Sequence, residues 1–299
     1  MVKKLSILLF SLFILQTGGA GAADLQSIQA GDVAVFFPAS LKPAAKEVLY
    51  LYPEIKANME AVFKWKLKGR PSVLLIKTRE SFIKMIGNPL VVAYAAPERN
   101  LIVIDYSKML KHPFSLGTTL KHELSHLLLH QYIDRINFPR WLDEGLCQWA
   151  SDGIGEVIMD PKRSFLNRAS LSGKFLPLRH LETKFPHDRE RLLLAYEESK
   201  SFVIYLVGQF GTKGIHRFLN QMRNGETVET AVQKAFSTPF DLLERKWHHS
   251  LKKKMPWFTL LSYNLYEILF TLMAIITVFA FIRFRFKKRD YKDDDDLDD

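Results

Sequence analysis

Twenty-six residues, Trp257–Ile282, carry a single formal charge, Glu267. About 20 apolar residues suffice to cross bilayer hydrocarbon as a helix. This stretch therefore cannot join a soluble core, and the globular fold has to come from what precedes it. Five basic side chains in seven follow directly, "RFRFKKR" (Arg283–Arg289), and such clusters stay on the cytoplasmic side. Trp257, Tyr263 and Tyr266 stand at the other end, as interfacial aromatics do. The expected topology is a single pass with the preceding residues extracytoplasmic and the C-terminus cytoplasmic. With the hydrocarbon starting near Tyr263, Glu267 falls close to the headgroups rather than deep in the span.

The N-terminus agrees. Met1–Ala23, "MVKKLSILLFSLFILQTGGAGAA", has a lysine pair, an apolar run and small residues, the layout of a cleaved secretory signal with Ala20-Gly21-Ala22 at the cut. The last ten residues, "DYKDDDDLDD" (290–299), resemble an epitope tag and are set aside. Without their seven Asp and one Lys the formal charge moves from +10 to +16. Discounting the five basic residues of 283–289 and the two signal lysines leaves +9 on the ectodomain. A basic ectodomain beside a membrane is drawn to anionic partners, but no nucleic-acid-binding module is recognisable. One cysteine, Cys147, permits no intrachain disulfide. Together these features suit a single-pass protein of the bacterial inner (cell) membrane.

The ectodomain divides by pattern. Residues 24–114 read as a small mixed α/β lobe. Strands are predicted at Asp32–Pro38, Pro71–Thr78, Val91–Ala96 and Asn100–Tyr106, and helices at Leu41–Phe63 and Arg79–Ile86. Residues 115–255 turn helical, with helices at Ser115–Ile133, Pro139–Ser151, Arg189–Phe210, Thr212–Arg223, Thr227–Phe236 and Pro239–Lys253. Ser170–Asp188 reads as a loop. The predicted fold class is α+β: an α/β lobe, then a helical lobe, then one transmembrane helix.

At the joint lies "KHELSHLLLH" (Lys121–His130). His122 and His126 are four apart and share one helix face, with Glu123 about 100° around from the first. This HExxH spacing supplies two imidazole ligands for zinc and a carboxylate beside the metal to take a proton from water. A catalytic zinc needs a third protein ligand. His130 is eight residues from His122, a rise of about 12 Å, too far to share the ion; it is a helix-end or outer histidine. Gly and His at 129 and 132 would complete a metzincin site, but Leu129 and Tyr132 stand there. "FPRWLDEGLCQWAS" (Phe138–Ser151) offers Glu144, eighteen residues after His126, on a helix that can return antiparallel. Asp143 beside it either orients an imidazole or serves as a helix-start acid. Cys147, Trp141 and Trp149 read as packing.

"HELSH", "WLDEG", "AYEESKSFVIYLVGQFG" (Ala195–Gly211), "GETVETAVQKAF" (Gly225–Phe236) and "LLERKWHHSL" (Leu242–Leu251) resemble the peptidase MA-like gluzincin family. The resemblance implies a zinc-dependent metallopeptidase with one Zn²⁺ held by His122, His126 and Glu144, and with Glu123 as catalytic base. It implies that the strand at Val91–Ala96 or at Asn100–Tyr106 borders the cleft, where an extended peptide could pair with it. Tyr196 is the candidate oxyanion donor, with Ser199 on the same helical face. The implied partners are a protein or peptide substrate of the envelope and the lipid bilayer. A zinc-stabilised scaffold that binds an envelope partner without cutting it is the alternative, and retention of Glu123 argues against it.

Overall fold

The computed structural model describes residues 25–111, 113–151, 164–254 and 265–295. The expected signal peptide (1–23) lies outside them, as do the start of the expected span (257–264) and the last four tag residues. The chain forms two compact units, Met1–His248 and His249–Asp299.

In the first unit, β1 (Leu25–Ala30) and β2 (Val33–Pro38) pair antiparallel around a tight turn. Gly31 sits there at φ 55°, a left-handed conformation that glycine adopts without a Cβ clash. β3 (Ser72–Ile76), β4 (Ala93–Ala96) and β5 (Leu101–Asp105) complete a sheet of order β1-β2-β3-β5-β4. The β2–β3 and β3–β5 pairs are parallel, and β4 runs antiparallel to β5 at the edge. Every residue of β5 is buried, as a central strand covered on both faces requires.

α1 (Lys42–Phe63) buries Ala45, Val48, Tyr52, Ile55, Met59 and Phe63, an i, i+3/i+4 stripe. α2 (Arg79–Ile86) starts at Thr78, whose side chain accepts from the Ser81 N–H. After the short α3 (Tyr106–Met109), Ser115 caps α4 (Leu116–His130) by accepting from the Thr118 N–H. α5 (Arg140–Ala150), α6 (Phe165–Ser172), α7 (Arg189–Arg223), α8 (Val228–Phe236) and α9 (Phe240–Lys254) follow. The architecture is α+β as the sequence predicts, with α4 between sheet and helices. In the second unit, α10 (Leu265–Asp295) contains one stretch, Leu265–Arg285, long and apolar enough to cross a membrane.

Several elements differ from the pattern reading. β1 is a strand although its "LQSIQA" is exposed and lacks an apolar face; pairing with β2, not burial, creates it. Phe165–Ser172 is helical, and a 3₁₀ turn at Leu178–Leu181 sits within the expected loop. The two helices expected on either side of Gly211 form one run, broken only there, where φ is 65°.

That 3₁₀ segment is tied down by two carboxylates. The Leu176 N–H donates to both oxygens of Glu198 (3.1 and 3.3 Å), and the Leu178 N–H donates to Glu244 Oε1 (2.9 Å). Glu198 is fully buried, and that burial, with Glu244 and Glu197 nearby, pushes its pKa up to about 8 despite the Leu176 hydrogen bond. A carboxyl that holds its proton more tightly folded than unfolded stabilises the fold most fully at low pH. Its contribution is lost as pH rises from about 4.5 through 8. Glu198→Gln keeps the acceptor and removes the titration. The wild type is therefore expected to lose several °C in Tm relative to Glu198→Gln between pH 5 and 8. Parallel melting curves across that range would refute the assignment.

Candidate metal centre

Residues His122 to Leu129 of α4 are all buried. A helix buried around its whole circumference packs inside a fold, and here it carries histidines at i, i+4 and i+8 together with Glu123 and Ser125. His122 is fully buried and His126 is 6% exposed. Their Nε2 atoms face each other at 3.2 Å. α5 returns alongside and brings Glu144 Oε2 to 3.8 Å from His122 Nε2 and 3.7 Å from His126 Nε2. Metal bonds of about 2.1 Å at tetrahedral angles place neighbouring donors roughly 3.4 Å apart. The three atoms match that spacing, and two nitrogens and a carboxylate oxygen are donors that zinc accepts. Arg140, one turn before Glu144, holds the other carboxylate oxygen at 3.7 Å. Glu123 is fully buried on the same turn as His122.

Asp143 reaches two histidines at once. Its Oδ1 is 2.8 Å from His126 Nδ1, and its Oδ2 is 2.9 Å from His130 Nε2. Of the two roles open for Asp143, the geometry favours orienting an imidazole. Burial alone would raise the Asp143 carboxyl, but His126 and His130 hold it well below the usual carboxylate range. Burial is the largest single influence on His126 and opposes its charge, yet Asp143 and Cys147 together raise that imidazole. His122 goes the other way: burial, then the neighbouring His126, holds it well below the ordinary histidine value. His122 thus stays neutral, as a ligand must be, whereas zinc binding would have to displace a proton from His126.

A cavity of about 650 Å³ opens against this group. Tyr94 and Ala95 of β4 form one wall, and His126, His130, Asp143 and Glu144 another. Of the two strands expected at a cleft, the edge strand β4 lines it. β5 lies between β3 and β4 and has no free edge. Arg135, Glu182 and Glu229 also face the cavity and carry no motif that the sequence would reveal. Tyr196 lies in the core, 2% exposed, with its ring edge-on to Phe185 at 5.0 Å and its carbonyl accepting from Gln148. It is not among the residues that line the cavity. Ser199 Oγ donates to the Ala195 carbonyl, and Cys147 and Trp141 are fully buried.

A family model described as "Peptidase MA superfamily" matches residues 91–253. None of the curated proteins matches the sequence. Among solved structures, a two-domain M1 zinc metallopeptidase mutant bound to L-arginine is similar at 15% identity and TM-score 0.48, over 76% of this chain and 51% of that one. Leukotriene A4 hydrolase from Saccharomyces cerevisiae is similar at 13% identity and TM-score 0.42, over 74% and 38%. Aminopeptidase A of Legionella pneumophila is similar at 13% identity and TM-score 0.42, over 75% and 27%. The chain spans about half the length of the first of these and less of the others.

The glycine of "WLDEG" has a packing reason. A Cβ on Gly145 would meet the Ser199 backbone oxygen at 2.4 Å and Val203 at 2.8 Å. Only a glycine lets α5 approach α7 this closely, and Glu144 is the preceding residue. Gly145→Ala must push the helices apart, at a cost of about 1–3 kcal/mol. The expected outcome is a lower unfolding midpoint in denaturant together with loss of bound zinc. Wild-type zinc content in a destabilised Gly145→Ala protein would separate Glu144 from this packing.

Proposed function

The chain belongs to the peptidase MA superfamily, and we propose that it is a membrane-anchored zinc metallopeptidase acting on extracytoplasmic proteins or peptides. The observation that carries the reading is the convergence of His122, His126 and Glu144 beside a cavity walled by an edge strand. His122, His126 and Glu144 would hold the zinc, which when bound supplies Lewis-acid chemistry that acidifies a water and polarises a carbonyl. The chain's own residues do the rest. Glu123 takes the proton of the attacking water and passes it to the departing amine. β4 offers backbone groups at Tyr94 and Ala95 to an extended peptide, aligning it by strand addition. Tyr196 would donate to the oxyanion, for which its ring must leave its contact with Phe185. Asp143 orients His126.

The anchoring part rests on Leu265–Arg285 and the basic residues that follow. They support a single pass in a bacterial inner membrane, with the peptidase unit outside and the C-terminus in the cytoplasm. Tethering raises the effective concentration of substrates held at the same surface, which favours membrane-proximal proteins.

The test compares the full chain in detergent micelles with Glu123→Gln. Both are expected to hold about one zinc per chain, with peptide cleavage lower in the variant by about 100- to 10,000-fold. Equal cleavage by the two would remove Glu123 as the base, and no cleavage of any envelope protein or peptide library by the wild type would favour a binding scaffold. Tyr196→Phe is expected to lower kcat by about 100-fold with KM and zinc content unchanged. An unaltered kcat would leave Tyr196 as a core residue.

A further inference from the structure

His130 is too far along α4 to share an ion with His122, yet it lines the same cavity and bonds to the same aspartate as His126. The three histidines form a ladder on one face of α4. Consecutive acidic residues of α5 each straddle a rung: Glu144 spans His122 and His126, and Asp143 spans His126 and His130. His126 is shared, with Nε2 toward Glu144 and Nδ1 toward Asp143.

A carboxylate has no proton to give, so each imidazole donates to Asp143. His126 then carries its proton on Nδ1 and turns the Nε2 lone pair toward His122 and Glu144. This orientation holds only while Oδ1 of Asp143 stays in place. Held at Oδ1 alone, by His126 and the Cys147 thiol, the carboxylate could still swing about its χ2, which is broad. A second donor on Oδ2 stops that rotation. His130 is itself held: its ring meets Phe138 edge-on at 5.3 Å, and its side chain is only 14% exposed.

We propose that His130 is a positioning residue of the metal centre, acting through Asp143 to fix the ligand face of His126. The inference rests on the zinc reading of His122, His126 and Glu144, and adds to it a residue outside the HExxH and WLDEG motifs. Groups next to metal ligands in this way change metal affinity by about 10- to 100-fold when removed.

The experiment follows the transfer of zinc from the loaded full chain, in detergent micelles, to a chromophoric chelator. Wild type, His130→Ala and His130→Gln are compared, and the glutamine amide can still donate to Asp143. Zinc loss is expected to be about 10- to 100-fold faster in His130→Ala and within about threefold of wild type in His130→Gln. The zinc-stripped wild type and zinc-stripped His130→Ala should melt together. If the wild type holds no zinc, the metal centre itself fails. If it holds zinc and His130→Ala releases it at the wild-type rate, only the positioning role is overturned. A His130→Gln protein as leaky as His130→Ala overturns it too, as does a zinc-stripped His130→Ala that melts well below the stripped wild type.

Discussion

The structure depends on how closely two helices cross. α4 is sheathed by apolar neighbours, and α5 lies across its histidine face with Asp143 and Glu144 on adjacent positions. Adjacent residues on a helix point about 100° apart, so they reach different rungs of the ladder rather than the same one. This crossing holds its distance because Gly145 lets α5 sink against α7. A side chain at that point would displace the acidic pair relative to the histidines. One missing methyl group thus links the packing of the helical part to the spacing of three donor atoms.

The cleft depends on the other side of α4. The sheet ends in β4, whose neighbour β5 is buried on all five residues. The Arg79 guanidinium reaches Asp105 at the end of β5 (2.9 Å) and the Val91 carbonyl before β4 (2.7 Å). It therefore pins the edge strand to the strand behind it. On the far end of α4, Gln131 and Lys68 exchange hydrogen bonds, and the Tyr132 hydroxyl donates to the Lys66 carbonyl. The chain after α1 is thereby clasped to the end of α4.

What the sequence made legible is what repeats at a fixed spacing. The apolar run of the last helix, the four-residue step of His122 and His126 and the stripe of α1 each announce an element through periodicity. Glu144 stands out as a candidate because HExxH calls for a third donor and the next helix offers a carboxylate. β1 was not readable, since an exposed edge strand with polar side chains has no period; only its partner defines it. The helix at Phe165–Ser172 was missed because it is two turns long and flanked by a Gly and Ser-rich stretch. Asp143 had two plausible roles in sequence, and only the hydrogen bonds to His126 and His130 choose between them. The depth of Tyr196 is likewise a tertiary fact: nothing in "AYEES" says whether the hydroxyl meets a cleft or a core.

The composition of the crossing is itself an argument about purpose. His122, Glu123, His126 and Glu144 are all at most 6% exposed. Taking ionisable groups out of water costs several kcal/mol per ion, and ion pairing rarely returns more than the cost. Leucines at these positions, matching Leu127, Leu128 and Leu129 beside them, would pack without that penalty. Pairing inside the group overcomes that cost at Asp143 and His126, but burial prevails at His122. A fold selected for stability alone would not concentrate four such groups at the centre of one helix pair. The penalty is intelligible if the site exists to hold a cation and present it to the cavity that β4 walls, and the burial that makes the groups costly is also what strengthens their field at the point where a substrate carbonyl would lie.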